Sequence, residues 1–453
     1  MQLCYKEVVI CIAQPERRLA GSAPNQGPVG WYRPNRRGLA LVAGSRVKSQ
    51  RAFLTSRNRF KGSVSQVSNV IQLLRLDAEP SQVSVSPDAW DDLAVAAIAL
   101  GFAPLLHVRT QGMGLPSGAR AKLAVTYAAT QRRNSAIASQ LGELLAAYAA
   151  AGIDAMVLKG GYLAFAVYPD PALRGMSDLD LFFRPDDLGR AEAVLQSLGY
   201  QGKHKSADEG PGIVKHTSTY KREASGEAAS TPNPYLSTSG DRHVDPHGSL
   251  EESWFGLRVD VTPGVWERSR LVTLVGLPAR AMATEDLLLQ LSVHLVFHLL
   301  MGKPSLVQLY DIATIGQALQ IDWTTLLDRS RERRAGPFLY AALHLARQIF
   351  AAPLPVGVLT QLQTGIPAPL ARHIQAMGLL EVMQQTQRPP LVTVRQRLTR
   401  GVSDRRETAQ WATTWQGKWA VWQTAVDIGR TDTGKLIGGR VLSRLGLAPR
   451  HAL

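Results

Sequence analysis

The sequence predicts an α+β protein: a small mixed sheet with helices packed in front of it and a helical domain after it. Two observations carry this. Ala- and Leu-rich stretches with helical spacing occupy 86–151 and return from Thr284 onward, and between them short apolar runs alternate with glycine stops and polar loops. At 453 residues and 45% hydrophobic content the chain has apolar matter for two or three domains.

Residues 1–65 mix Gly, Pro, Asn, Ser and Arg without a sustained period, so a basic tail with little fixed structure is expected there. A helical region follows over 66–152. Ser86 and Pro87 precede Asp88, Asp91 and Asp92 and then an apolar run, the composition of a helix start. Residues 118–151 read as one long helix or a kinked pair, stopped at Gly152.

The sheet-bearing domain is expected over 153–282. Ala155 to Leu158 is a short strand, Gly160–Gly161 a turn, and Tyr162 to Tyr168 a short helix. Leu179 to Phe183 is a second strand, Asp186 to Leu198 a helix stopped by Gly199, and Ile213 to Tyr220 a third strand. "HVDPH" and "LRVDV" are further strand-like runs, with Pro246 placing the first at an edge or a bulge. A helical domain over 283–385 opens with Thr284 as N-cap and Glu285 and Asp286 in its first turn. Helical patterns cover roughly 305–319, 323–350, 357–384 and 408–427, the last within a basic, Trp-containing region over 386–453. There Trp411, Trp415, Trp419 and Trp422 share one helical face, for which packing on the helical body is the expectation and a membrane or protein surface the alternative.

The net charge of +15 is unevenly spread. Residues 1–61 carry 12 basic and 2 acidic groups, 387–407 carry 6 and 2, and 430–453 carry 5 and 1, which leaves 62–386 at −3. The basicity thus belongs to the ends, and nucleic acid is not favoured as a partner of the body. Only Cys4 and Cys11 are present, too few for a disulfide framework or a cysteine metal site, and a reducing, cytoplasmic location is expected. No uncharged apolar run approaches the roughly 20 residues of a membrane span. The first residues make a poor secretory signal.

The chemistry is concentrated between Val157 and Phe183. On an extended strand Asp178 and Asp180 point to one face and Leu179 and Leu181 to the other, which holds two carboxylates side by side. Such a pair repels itself unless a cation lies between, and carboxylate oxygens suit Mg²⁺ or Mn²⁺ bridging substrate phosphates. Gly160–Gly161 follow a strand and open a helix, where backbone N–H groups can meet an anion. Lys159 and Arg174 add positive charge for a triphosphate.

These residues resemble the nucleotidyltransferase superfamily typified by DNA polymerase β, and more closely the uncharacterised bacterial nucleotidyltransferase family. The resemblance rests on Leu158–Lys159–Gly160, Arg174, Asp178–Leu179–Asp180–Leu181 and Asp245–Pro246–His247, and continues through "TEDLLLQLSVHLVFH", "LYDIA" and "IDWTTLLDRS". Two features depart from the superfamily pattern: Lys159 precedes the glycines, and the Asp pair lies further from them.

The resemblance implies transfer of a nucleoside monophosphate from an NTP to a hydroxyl acceptor (a peptide, protein, sugar or RNA), with release of pyrophosphate. It also implies a third carboxylate completing a two-metal site with Asp178 and Asp180. Asp245 fits the acidic-x-His pattern, and Asp260 in "RVDVT" is the rival. Lys159, Gly160, Gly161, Arg174 and Ser177 are then the expected nucleotide contacts. His247, His294 and His298 are further polar candidates, read as core or supporting histidines, with Asp311 as a partner for the last two. The alternatives are a catalytically degenerate nucleotide-binding scaffold and, behind it, an Asp-x-Asp glycosyltransferase, for which a Gly-Gly phosphate turn is unneeded.

Overall fold

The computed structural model describes residues 60–203, 218–223, 242–386 and 394–427. The chain divides into Met1–Ser65 and Gln66–Leu453. Of the first, the described part is the opening of helix α1 (Phe60–Leu74), which starts inside the stretch read as irregular; the expectation for 1–59 lies outside the described residues. The second unit carries the remaining elements.

A single 3-10 turn at Pro87–Ala89 leads into α2 (Trp90–Leu100), which stops where Gly101 takes φ +80°. Then come α3 (Ala103–Arg109) and α4 (Ser117–Ala150), the latter unbroken over 34 residues. β1 (Met156–Val157) runs directly into α5 (Lys159–Ala166). Gly160 and Gly161 are thus the first turn of that helix and not a turn before it. β2 (Leu179–Phe182) and α6 (Leu188–Ser197) fall where expected, with Gly199 at φ +82°. β3 (Gln201–Lys203) is a strand the sequence pattern does not signal, and of the expected third strand, Ile213 to Tyr220, the described part is 218–220, where β4 (Thr219–Arg222) begins. β5 (Arg242–His247), β6 (Glu251–Trp254) and β7 (Leu257–Asp260) follow, then α7 (Val265–Arg268) and the hairpin of β8 (Arg270–Leu274) and β9 (Leu277–Ala281).

The main sheet has the order β3-β4-β5-β2-β1-β9-β8, with β2–β5 and β1–β9 parallel and the other pairs antiparallel. β6 and β7 form a separate antiparallel pair. Pro246 therefore sits on an interior strand, which corrects the edge expectation. The reason is local. Phe183 N donates to His247 O at 2.9 Å, so His247 and Asp245 turn their backbone to β2, while Pro246 turns its donorless nitrogen the other way. On that side the β4 ladder ends at Val244, so no ladder bond is lost.

The helical body comprises α8 (Thr284–Leu300), α9 (Leu306–Ala318), α10 (Trp323–Glu332), α11 (Gly336–Phe350), α12 (Val358–Thr364), α13 (Ala368–Ala376), α14 (Leu379–Thr386), α15 (Val394–Trp411) and α16 (Trp415–Asp427). Thr284 is the first helical residue of α8 rather than its cap, which is Ala283. The pattern over 323–350 divides because Arg334 takes φ +54° between α10 and α11. The four-Trp stripe divides too: Thr414 Oγ1 accepts from Gly417 N at 3.1 Å and opens a new helix. Trp411 ends α15 buried against Phe338, whereas Trp415, Trp419 and Trp422 lie exposed on α16.

Two faces of β2 decide what the sheet can do. Leu179 and Leu181 are fully buried, and Phe183 just beyond them stacks edge-on with Tyr148 of α4 at 4.9 Å. The opposite face carries Asp180 and then Phe182, whose ring stacks on Trp266 at 5.4 Å.

Candidate active site

Leu158 N donates to the Asp180 carbonyl at 3.0 Å, which fixes the end of β1 against the middle of β2. The next residue, Lys159, takes φ +43°, a left-handed conformation that turns the chain sharply into α5. As a result the Lys159 ammonium meets the neighbouring strand, with Nζ 2.7 Å from Asp180 Oδ1. Both side chains are mostly buried, at 15% and 12% exposure.

The glycines after it do different work. A Cβ on Gly161 would stand 3.0 Å from Val157 Cγ1 and 3.1 Å from Leu179 Cδ2, so Gly161 lets α5 sit close on the apolar side of the strands. Gly160 is partly exposed, and its missing Cβ would stand 3.2 Å from Met176 and 3.7 Å from Arg174 Nη1. Like every helix start, the first turn of α5 carries N–H groups without intrahelical acceptors.

Three carboxylates converge here. Asp180 and Asp245 are register partners on parallel neighbours, β2 and β5, so their side chains leave the same face. Asp178, two residues before Asp180, joins that face at the strand entrance. Burial, and then the charges of Asp180 and Asp245, push the Asp178 carboxyl up to about 6. Burial acts on Asp180 in the same sense, but Lys159 and His247 outweigh it and hold that carboxyl well below the usual range. His247 Nε2 is 2.7 Å from Asp180 Oδ1, so the imidazole and the ammonium share one oxygen. The Lys159 ammonium is itself disfavoured by burial, yet Asp180, Glu252 and Asp178 raise its pKa on balance. Ser177 is exposed and its Oγ donates to Asp178 Oδ1 at 3.1 Å.

Arg174 is held from another direction. Its Nε and Nη2 grip Asp311 of α9 at 2.8 Å each in a bidentate pair, and Tyr168 Oη donates to the same carboxylate at 2.8 Å. Asp311 is thereby the partner of Arg174 and Tyr168, not of the two histidines on α8. His294 Nδ1 instead lies 2.7 Å from Glu252 Oε1 on β6, with the His298 ring 4.1 Å away. Glu252, whose charge also reaches Lys159, went unnoticed in the sequence. The short polar run "SLEESW" gives no sign that its second Glu is buried at 2% exposure. The rival third carboxylate, Asp260, is exposed on β7, outside the main sheet, and accepts from Thr262 N at 2.9 Å.

Among the described residues no three His, Cys, Asp or Glu side chains already stand as a metal-ligand group. The donor set nevertheless suits a hard divalent ion in kind: oxygen-only carboxylates, crowded enough that one of them resists ionisation.

Residues 86–351 match the family described as uncharacterised nucleotidyltransferase, more than half of the chain. The chain belongs to that family. The family match supports nucleotidyl transfer as the general function of the chain. The matched span takes in α2 to α11 and therefore Lys159, Arg174, the three aspartates, Glu252, His294 and Asp311. Neither a curated protein nor a solved structure matches the chain. No described helix is long and apolar enough to cross a membrane.

Proposed function

We propose that the protein moves a nucleoside monophosphate from an NTP to a hydroxyl acceptor and releases pyrophosphate, with a divalent cation held by Asp178, Asp180 and Asp245. The observation that carries this reading is the register pairing of Asp180 with Asp245, with the Asp178 carboxyl crowded against both. Family membership supplies the reaction class.

Asp178, Asp180 and Asp245 would hold Mg²⁺ or Mn²⁺, an arrangement that relieves their mutual repulsion. When bound, such an ion supplies Lewis acidity at the phosphates and lowers the pKa of the acceptor hydroxyl. The chain's own residues do the rest. With a cation held by the carboxylates, the Lys159 ammonium, now paired with Asp180 Oδ1, would be free to pair with the triphosphate instead. The N–H groups at the start of α5, at Lys159, Gly160 and Gly161, face the same anion. Asp245 takes the proton of the acceptor hydroxyl as its oxygen attacks the α-phosphorus, and the bond from that phosphorus to the β-phosphate oxygen breaks. His247 keeps Asp180 ionised and oriented. Arg174, committed to Asp311, anchors the loop that carries Ser177 and Asp178 instead of meeting phosphate.

A second reading, a nucleotide-binding scaffold without turnover, has one observation in its favour: both Lys159 and His247 occupy Asp180. One experiment separates them. The purified protein is incubated with each NTP and Mg²⁺ against peptide, protein, sugar and RNA acceptors. Pyrophosphate together with a nucleotide-sized mass gain on an acceptor, both lost in Asp180→Asn, supports transfer. Metal-dependent NTP binding with no pyrophosphate from any acceptor supports the scaffold.

A further inference from the structure

Asp180 and Asp245 are placed by the sheet, as register partners on β2 and β5. Asp178 is not. β2 begins at Leu179, so this carboxylate stands on the last residue of the connection 167–178, just outside the ladder. There it faces the like charges of the other two aspartates. A carboxylate so placed stays beside its neighbours only if the backbone beneath it is held from elsewhere.

The hold comes from α4. Asn134, 1% exposed, donates through Nδ2 to Pro171 O at 2.5 Å and to Arg174 O at 2.9 Å. Arg133 Nε donates to Met176 O at 2.7 Å, two residues before Asp178. Two turns earlier on the same helix, Tyr127 Oη donates to Asp170 Oδ2. The other oxygen of that carboxylate accepts from Ala172 N at 2.8 Å and caps the 3-10 turn Pro171–Leu173. The connection thus leans on one helix from its first half to the edge of Asp178. Asn134 Oδ1 is buried without a hydrogen-bond partner among the described residues. A leucine would fill that place without leaving an oxygen unpaired, so what the amide contributes is its two donors.

We propose that Arg133 and Asn134 of α4 are positioning residues for the candidate cation site, holding Asp178 within reach of the ion that Asp180 and Asp245 share. The inference rests on the reading of the three aspartates as cation ligands and adds that a helix ahead of the sheet sets their affinity. Arg133 also carries a charge, and charge and hydrogen bond act with opposite signs. Loss of a nearby positive charge favours a bound metal ion, whereas loss of the hold on Met176 O disfavours it.

The test uses the full-length protein and two readings. Mn²⁺ affinity is measured by electron paramagnetic resonance with a non-hydrolysable NTP analogue, and amide hydrogen exchange over 170–178 by mass spectrometry without metal. Arg133→Met and Asn134→Leu are each expected to weaken Mn²⁺ binding by about tenfold or more, and to speed exchange over 170–178. Arg133→Lys, which keeps the charge and a donor, loses less. Thr130→Val is the control: its hydroxyl donates to Thr126 O of its own helix at 2.9 Å, and both readings stay at the wild-type value. Arg133 is half-buried, so Arg133→Met keeps the test available where Asn134→Leu lowers the melting temperature. Unchanged or tighter Mn²⁺ binding in Arg133→Met overturns the inference and leaves the aspartate reading standing. Weaker binding with unchanged exchange over 170–178 overturns it as well. No Mn²⁺ binding by the wild type overturns both the inference and the reading on which it rests.

Discussion

Replacing Asp178 by Asn is expected to stabilise the metal-free protein and to remove its response to divalent ions. The Asp178 carboxyl is pushed up to about 6 by burial and by Asp180 and Asp245, from an ordinary value near 3.8. A carboxyl with a raised folded-state pKa costs stability in its ionised form. The cost is absent below the unfolded value, grows as pH rises between the two, and is complete above the folded value. At about 1.4 kcal/mol per unit the shift corresponds to roughly 3 kcal/mol near neutral pH. With an unfolding entropy of about 2.1 cal/mol/K per residue, roughly 0.8 kcal/mol/K over Gln66–Leu453, this is a gain of about 2–4 °C. Asn is nearly isosteric and keeps an oxygen for Ser177. Melting is followed by circular dichroism in EDTA at pH 8 and at pH 5. Asp178→Asn should melt higher at pH 8, and the difference should shrink at pH 5, where the wild-type carboxyl is largely protonated. Mg²⁺ should raise the wild-type Tm at pH 8 and leave the variant's unchanged. Equal or lower stability of the variant at pH 8 in EDTA would refute the argument that crowded negative charge strains this site.

Two structural predictions follow from the same geometry. Arg174→Met strands Asp311, 1% exposed, without its bidentate partner, and should cost about 3–5 kcal/mol in chemical denaturation; the double variant Arg174→Met, Asp311→Leu should recover part of that loss. Gly161→Ala places a methyl 3.0–3.1 Å from Val157 and Leu179 and should cost about 1–3 kcal/mol by the same measurement, whereas Gly189→Ala, with nothing within 4 Å, should leave stability unchanged or slightly raised.

The strands bearing the site could be read from the sequence because their cues are local. Alternation over Leu179–Phe182, the Gly stops at 152 and 199, and the acidic-x-His of β5 each act within a few residues. What escaped reading depends on partners far along the chain. Pro246 reads as an edge residue until Phe183 is known to bond His247 O and β4 to stop at Val244. Nothing near Arg174 in the sequence announces that Asp311, 137 residues away, takes its fork. Glu252 and His294 are 42 residues apart and meet by tertiary packing alone. The Trp stripe looked continuous because its spacing is helical on both sides of a break that a single Thr414 hydroxyl makes. The β8–β9 hairpin was missed because Val275 and Gly276 form its tight turn, both at positive φ, and Val is not a residue that announces one.

The most direct measurement is Mn²⁺ binding, read by electron paramagnetic resonance in the presence of a non-hydrolysable NTP analogue, for the wild type and for Asp180→Asn, Asp245→Asn and Asp260→Asn. A site built from the aspartates of β2 and β5 predicts nucleotide-dependent Mn²⁺ binding that is lost in the first two variants and kept in the third. Binding that survives in Asp180→Asn and Asp245→Asn, with folded protein in each case, would contradict it.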